Sequence, residues 1–230
     1  MDVSRRNIIK AYLGLGSNLA DRLGNLHHAI YLISDILSIH AISPVYETAP
    51  WGFVHQPMYL NCTLSICSPP EPSRLKSITK TIESQVGRKS TTHRWGPRII
   101  DIDILFYGNQ RISQPGLVIP PLRIDERAFV LVPLSKIAPA YVHPRSNKTI
   151  QELCDIVDGK DGVQLYSNIS INHMDHQECK IPPGQQPARR RPPTGVIRIA
   201  IRGCPAKGDL PHLQEEMAEH TRTSAHFCPG

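Results

Sequence analysis

The hydrophobic pattern of this chain changes several times between the two-residue period of a strand and the helix period of about 3.6 residues. Asp21 is placed to cap the first helical segment and Gly87 to end the second. The order strand, helix, strand, strand, helix, strand predicts an α+β domain of the ferredoxin-like class, with an antiparallel sheet and helices on one face. The predicted strands are 11–15, 39–46, 59–66 and 99–107, the helices have apolar positions from 23 to 37 and from 75 to 86, and further helical pieces are 125–136 and 149–157.

The composition of the chain changes near residue 167. Among the 63 residues from 168 to 230, only 12 are Val, Ile, Leu, Met or Phe, which is too little apolar surface to offset the entropy of ordering the chain. We therefore predict a folded domain over 1–167 and a disordered tail over 168–230. Within this tail, 196–201 alternates like a short strand.

Charge and composition limit the classes of function. The net charge of +6 and the pI near 9.1 are consistent with an anionic partner such as a nucleotide or a nucleic acid. No stretch approaches the roughly 18 apolar residues of a membrane-spanning helix, so we expect a cytoplasmic protein without a membrane contact. The six cysteines lack C-x-x-C spacing, which argues against a zinc cluster and against a disulfide framework.

Two acids lie close together on the predicted strand 99–107. Asp101 and Asp103 are two residues apart, so both carboxylates leave the same face of the strand. Like charges this close are unfavourable without a cation, and carboxylate oxygens suit Mg²⁺ that a nucleotide carries on its phosphates. The solvent-facing side of an edge strand can show the same pattern, so the neighbouring residues must decide between the two interpretations.

A basic loop comes directly before the acid pair. Arg88, Arg94 and Arg98 lie in a segment that also contains glycine and proline, and guanidinium groups pair with phosphate oxygens through two parallel hydrogen bonds. Arginines beside paired acids indicate a site for polyphosphate and Mg²⁺. Trp95 either supports this loop or covers a nucleotide, and the sequence leaves both roles open.

A second cluster of polar and aromatic residues surrounds the start of the predicted strand 59–66. It contains Thr48, Trp51, Tyr59 and Asn61. A flat heteroaromatic ligand is held by aromatic faces and by a side-chain amide that binds its edge, and Tyr59 and Asn61 can present both groups on one side of a strand. Ordinary packing of Tyr59, with Asn61 as a polar group at a strand end, is the open alternative.

Four segments of the sequence, in this order, resemble the 6-hydroxymethyl-7,8-dihydropterin pyrophosphokinases of folate biosynthesis. The segments are AYLGLGSNLADRLGNL, SPVYETAPWGFVHQPMYLN, IESQVGRKSTTHRWGPRIIDIDILFYG and ERAFVLVPLSKIAP, and the resemblance spans 11–157. It implies a ferredoxin-like αβα sandwich with a mostly antiparallel sheet, and it implies ATP and two Mg²⁺ ions as requirements. The implied reaction transfers the β,γ-diphosphoryl group of ATP to the hydroxymethyl oxygen of the pterin, with AMP leaving. We expect a monomer whose partners are ATP and this pterin, without nucleic acid.

The resemblance also implies roles for individual residues. Asp101 and Asp103 match the two aspartates that hold both Mg²⁺ ions. Arg88 and Arg98 match catalytic arginines that engage the ATP phosphates, and Trp95 matches a loop tryptophan that closes over the site.

Two further groups complete the implied site. Tyr59 and Phe129 match the aromatic pair that encloses the pterin, while Asn61 and the backbone near Thr48 and Trp51 match the groups that bind its edge. The positions matched around the nucleotide are Glu83, Arg94, Ile104 and Arg127.

Three departures from the family leave an alternative open. Pro121 stands where the family usually has a histidine that touches phosphate, and Ser90 stands where a basic residue is often found. The tail after about residue 167 matches nothing in the family. The alternative is a degenerate relative that binds pterin or ATP but transfers slowly. An RNA-recognition module shares the order of elements and the basic pI, but it requires aromatic residues on the strand where this chain has acids.

Overall fold

A computed structural model describes residues 9–52, 55–88, 96–171 and 199–202, which form four α-helices and nine β-strands. None of these helices is long and apolar enough to cross a bilayer. The helices are α1 (Arg22–Ile36), α2 (Pro72–Val86), α3 (Ala128–Ser135) and α4 (Ile150–Ile156). The strands are β1 (Lys10–Ser17), β2 (Ser38–Ile42), β3 (Val45–Thr48), β4 (Tyr59–Cys67), β5 (Asp101–Tyr107), β6 (Ile112–Gln114), β7 (Leu117–Ile119), β8 (Gln164–Ile171) and β9 (Ile199–Arg202).

Both predicted helix signals are confirmed. The Asp21 carboxylate accepts a hydrogen bond from the backbone N–H of Gly24 at 2.9 Å, which satisfies a donor that has no partner inside α1. The helix α2 ends at Gly87, whose φ of 111° lies in the left-handed region that glycine adopts easily because it has no Cβ. Arg88 follows directly, and its backbone N–H donates to the carbonyl oxygen of Glu83 at 2.9 Å.

The segment predicted as one strand over 39–46 is two strands, β2 and β3, which both lie antiparallel to β4. Pro44 has no N–H to donate to the ladder, so regular pairing stops there. Ser43 maintains the contact: its N–H donates to the carbonyl oxygen of Thr63 at 2.9 Å, and its hydroxyl accepts from the Thr63 N–H at 2.9 Å. The prediction of a continuous strand was wrong because the apolar alternation runs across this break.

The main sheet has the strand order β5, β1, β4, β3, β8, β9, with β2 also paired to β4. All of these neighbouring strands are antiparallel. The strands β5, β1, β4 and β3 form the ferredoxin-like part of the sheet, so the predicted α+β class is confirmed. This order places β1 between β4, which carries Tyr59 and Asn61, and β5, which carries Asp101 and Asp103.

Helices pack on both faces of the sheet. The helices α1 and α2 form one core with sheet residues such as Leu13 and Leu15. The helices α3 and α4 form a second core with Tyr12, Leu105 and Phe106 on the opposite face. The expectation of helices on one face was therefore wrong, and the implied αβα sandwich is confirmed. The helix α3 is apolar almost all round, so its pattern carries no amphipathic face that would place it.

The sequence does not predict three of the pairings. The strands β6 and β7 form a two-stranded hairpin, and β8 extends the main sheet beyond β3. The strand β8 crosses the predicted domain boundary at residue 167 and pairs with β9, which lies within the alternating stretch of the predicted tail. The tail residues 172–198 and 203–230 lie outside the described residues, and the division into a domain and a disordered tail stays a prediction.

Candidate active site

A cavity of about 210 Å³ lies where β1, β4 and β5 meet the start of α3. The sequence separates an aromatic and amide cluster from an acid and arginine cluster, and this cavity brings residues of both together. Arg94 and Trp95 lie outside the described residues, as does Ser90. The predicted site residues in the cavity wall are Thr48, Trp51, Tyr59, Asn61, Arg98, Asp101, Asp103, Arg127 and Phe129.

The acid pair faces this cavity from β5. Ile102, between the two acids, points to the opposite face and is buried in the core with α1 and α2. On the neighbouring strand, Gly16 lies opposite Asp101 and Gly14 lies opposite Asp103. Because glycine has no side chain, β1 leaves space beside both carboxylates.

Two arginines neutralise Asp101. The Nη1 atom of Arg88 lies 2.6 Å from Oδ1 of Asp101, and the Nη1 atom of Arg98 contacts the other carboxylate oxygen. Burial by itself raises the pKa of Asp101, but the guanidinium charges of Arg98 and Arg88 outweigh burial and hold the pKa below its ordinary value. Asp101 is therefore ionised at neutral pH.

Asp103 has the opposite electrostatic environment. Within the described part of the chain it takes part in no ion pair. Desolvation by the surrounding protein, followed by the charge of Asp101, raises the pKa of Asp103 to about 6, although Lys80 and Arg127 act against this rise. The residue reaches the solvent of the cavity, yet the concave wall surrounds it with protein atoms and so favours its neutral form.

We expect Asp103→Asn to stabilise the ligand-free protein at neutral pH. A carboxyl whose pKa is raised in the folded state lowers stability when it ionises, and this loss grows from the ordinary pKa of 3.8 up to about 6. Because the residue is exposed to screening solvent, the expected gain is about 1 kcal/mol at pH 7.5 and close to zero at about pH 3.5. Thermal melts of both proteins at these two pH values, without divalent metal, check the effect. Equal melting temperatures at the higher pH would contradict it.

Glu83 and Ile104 do not line the cavity. Glu83 is only 2% exposed, and its carboxylate accepts hydrogen bonds from Lys80 at 2.7 Å and from the Ile102 N–H at 2.8 Å. It also lies 2.7 Å from the Nη1 atom of Arg88, so it fixes this arginine behind the acid pair. Ile104 is buried in the core on the far side of β5. A contact from either residue to a nucleotide stays a prediction.

The amide of Asn61 is held in the cavity wall by its neighbours. Its Nδ2 atom donates to the Thr48 hydroxyl of β3 at 2.8 Å. On β1, a Cβ added to Gly16 would lie 2.9 Å from Asn61 Oδ1 and 3.7 Å from Tyr59 Cδ1. Glycine at this position therefore lets the amide approach the backbone of the sheet.

Asn18, which the sequence motifs did not identify as a site residue, connects the two halves of the cavity wall. Its Nδ2 atom donates to Gln56 Oε1 at 3.1 Å and to the carbonyl oxygen of Pro57 at 3.2 Å, while its Oδ1 atom accepts from the Arg98 N–H at 2.7 Å. Gln56 Oε1 also accepts from the Tyr59 hydroxyl at 3.3 Å. This chain of hydrogen bonds joins the backbone of Arg98 to the ring of Tyr59. The sequence signal that could have identified Asn18 was its place directly after a predicted strand, because the side-chain amide of a buried asparagine requires hydrogen-bond partners.

The acid pair fits a metal that arrives with a ligand. Among the described residues, no group of three or more His, Cys, Asp or Glu side chains could hold a metal ion. Magnesium commonly takes one or two carboxylates and completes its shell with phosphate oxygens and water. The raised pKa of Asp103 also indicates negative charge that a cation would neutralise.

Residues 12–139 match the family model of the 7,8-dihydro-6-hydroxymethylpterin-pyrophosphokinases. The chain belongs to this family. Aquifex aeolicus has a 2-amino-4-hydroxy-6-hydroxymethyldihydropteridine pyrophosphokinase that is 40% identical to this chain over 141 residues. These residues cover 61% of this chain and 88% of that protein. Its namesake from Bacillus subtilis is 36% identical over 159 residues, which cover 68% of this chain and 95% of that protein.

Solved structures agree with the fold of a pterin pyrophosphokinase. An HPPK-DHPS in complex with substrates is similar with a TM-score of 0.51 and 18% identity, covering 64% of this chain and 43% of that one. The wild-type HPPK-DHPS of Plasmodium falciparum has a TM-score of 0.52 and 17% identity, covering 66% of this chain and 45% of that one. This chain thus spans less than half the length of those two proteins, and identities this low support the fold alone.

Family membership confirms the resemblance found in the sequence motifs. As a pterin pyrophosphokinase, the chain is an enzyme of the transferase class. Nothing in these similarities favours the degenerate alternative that Pro121 and Ser90 had left open.

Proposed function

We propose that this chain transfers the β,γ-diphosphoryl group of ATP to the hydroxymethyl oxygen of 6-hydroxymethyl-7,8-dihydropterin, giving the pterin diphosphate and AMP in folate synthesis. The observation that carries the proposal is one cavity whose wall combines aromatic and amide groups with the acid pair and Arg98. Transfer requires the attacking oxygen, the β-phosphorus and the leaving oxygen in line, so both substrates must be held in one site.

The aromatic half of the cavity suits the pterin. Tyr59 and Phe129 supply ring faces in the wall, and Asn61 with Thr48 supplies polar groups for the ring edge. Because the Thr48 oxygen accepts from Asn61, its own O–H is left to donate to a ligand. Asn61 Oδ1 is the matching acceptor. Together the two side chains offer a donor and an acceptor side by side.

The charged half of the cavity suits the phosphates. Arg98 lines the cavity, whereas Arg88 lies behind the acid pair, and both reach the Asp101 carboxylate. These guanidinium groups can also hold phosphate oxygens that enter beside that carboxylate. Glu83 keeps Arg88 in place through its ion pair at 2.7 Å. Positioned arginines stabilise the charge that develops on the transferred group, and a loose transition state needs little help from a general base.

Asp101 and Asp103 are the residues we propose to hold Mg²⁺, two ions in all. Bound Mg²⁺ would supply Lewis-acid polarisation of the phosphoryl oxygens. The chain contributes the orientation: β5 aims both carboxylates at the same cavity, and the glycines of β1 leave the space beside them open. A cytoplasmic location, a monomeric state and the absence of a nucleic-acid partner stay predictions.

Product analysis tests the proposal. The purified chain is incubated with the reduced pterin alcohol, Mg²⁺ and ATP labelled separately at the β- and γ-phosphorus. Both labels should appear in the pterin product, whose mass should increase by one diphosphoryl group. Transfer of the γ-label alone, with ADP as the nucleotide product, would show an ordinary kinase instead.

Gly16→Ala should weaken pterin binding by roughly tenfold, because the new methyl group displaces the Asn61 amide and costs a hydrogen bond to the ligand. The affinity for ATP should change less. Calorimetry with a non-reactive pterin, in the presence of an ATP analogue, measures both. Gly162→Ala is the control, since its methyl group would meet no atom within 4 Å and the residue is not part of the cavity wall. Unchanged pterin affinity in Gly16→Ala would show that the Asn61 amide does not bind the pterin.

Tyr59→Ala and Phe129→Ala should each weaken pterin binding by about 1 to 3 kcal/mol through lost stacking and burial. ATP binding should be affected less, because both rings lie in the aromatic half of the wall. The same calorimetric titrations separate the two ligands. If pterin affinity survived in both variants, these rings would serve packing alone.

A further inference from the structure

The indole of Trp51 lies beside two cationic side chains. The guanidinium carbon of Arg123 is 4.9 Å from the centre of the indole ring, and that of Arg127 is 5.1 Å away. Both distances are within the range of an attractive cation–π contact. Trp51 follows β3, whereas the two arginines flank the short turn before α3, so the contact joins segments that are distant in sequence.

The two arginines differ in every other respect. Arg123 has a side chain that is 61% exposed and forms an ion pair with Glu126 at 2.7 Å, and it is not in the cavity wall. Arg127 lines the cavity, and its charge acts on the Asp103 carboxyl. Its Nε atom is buried without a hydrogen-bond partner, and within the described residues it has no ion pair. The indole is therefore a close cation-binding surface for Arg127, at 5.1 Å, where no carboxylate of the described residues forms an ion pair with it.

We propose that Trp51 is a positioning residue that holds the Arg127 guanidinium over the cavity, where it binds the nucleotide phosphates. This rests on the proposed function, because it requires a nucleotide beside Asp103. A guanidinium that forms no ion pair within the described residues and whose Nε atom has no hydrogen-bond partner can direct its donors at a ligand. The indole face orients it without competing for those donors. Arg123, already paired with Glu126, takes no part in phosphate binding.

The contact also connects the two halves of the site. The ring centre of Trp51 lies 6.4 Å from that of Phe129, one of the proposed pterin-binding rings. Trp51 therefore touches one residue for each substrate. Its side chain acts on the nucleotide through Arg127, a role beyond the backbone contact to the pterin that the motif resemblance implies.

A double-mutant cycle on nucleotide affinity tests the inference. The probe is α,β-methylene ATP with Mg²⁺, because its methylene group replaces the α,β-bridging oxygen, whose bond to the β-phosphorus diphosphoryl transfer breaks. Calorimetry compares Trp51→Leu, which keeps an apolar side chain without a π-face, with Trp51→Phe, which keeps a ring. We expect Trp51→Leu to weaken binding by roughly three- to tenfold and Trp51→Phe to retain most of the affinity. Thermal melts show that each variant is folded.

The two arginines provide a matched pair for the cycle. Adding Trp51→Leu to Arg127→Ala should weaken binding no further, because the indole acts through that guanidinium. Adding Trp51→Leu to Arg123→Ala should give the product of the two single effects. Effects that multiply in the Arg127 cycle, or a Trp51→Leu variant that loses pterin affinity alone, would overturn the inference.

Failure of the proposed function gives a different result. A wild-type chain that does not bind the nucleotide analogue overturns the proposed function and this inference together. If the wild-type chain binds the analogue but the losses of affinity from Trp51→Leu and Arg127→Ala multiply in the double variant, the inference alone is overturned.

Discussion

Asp101→Asn and Asp103→Asn should each lower diphosphoryl transfer by about 10³ or more, because each removes a negative ligand from a site with two carboxylates. Asparagine keeps the shape of the side chain, so the loss should occur in a folded protein. The two variants should differ in stability. Asp101→Asn leaves Arg88 and Arg98 facing a neutral amide and should melt lower, whereas Asp103→Asn removes an unfavourable charge and should melt higher.

Turnover, circular dichroism and a Mg²⁺ titration are to be measured together on both variants. A lost metal ligand should leave the far-ultraviolet spectrum unchanged, and higher Mg²⁺ should recover little activity. Wild-type rates in either variant at millimolar Mg²⁺ would defeat the assignment of the metal ligands.

Arg98→Ala should lower kcat by about 10², with a smaller effect on pterin affinity, because an arginine directed at the transferred phosphates acts mainly in the transition state. Arg98→Lys should restore only part of the rate, since an ammonium group cannot form the two parallel hydrogen bonds of a guanidinium. Steady-state kinetics with each substrate varied in turn separate kcat from KM.

Arg111→Ala is the control for losing one positive charge. Arg111 donates to the carbonyl oxygen of Pro144 and is not part of the cavity wall, so its removal should leave kcat within about twofold. An Arg98→Ala variant with normal kcat and weakened pterin binding would show that Arg98 binds the pterin and does not act on the transferred phosphates.

The acid pair shows what local sequence can predict. The two-residue period of a strand requires Asp101 and Asp103 to share a face, and they do. Helix ends at Asp21 and Gly87 follow from capping rules that act over a few residues. The order and spacing of the sequence motifs then predicted the protein family, and the match of residues 12–139 to the family model confirms that prediction.

Other parts of the site depend on contacts between distant residues. The ion pairs of Asp101 with Arg88 and Arg98, and the link from Arg98 through Asn18 to Gln56, form when separate segments meet. No local period encodes such contacts. Likewise, the apolar alternation over 39–46 hides the break at Pro44, and the uniformly apolar α3 does not indicate which face of the sheet it covers.

The most direct measurement is the release of AMP from ATP and Mg²⁺ with and without 6-hydroxymethyl-7,8-dihydropterin. The account predicts one AMP for each pterin consumed, no AMP without the pterin, and AMP release slowed by about 10³ or more in Asp101→Asn and Asp103→Asn. AMP formation that ignores the pterin, or pterin-dependent release of ADP in its place, would contradict the account.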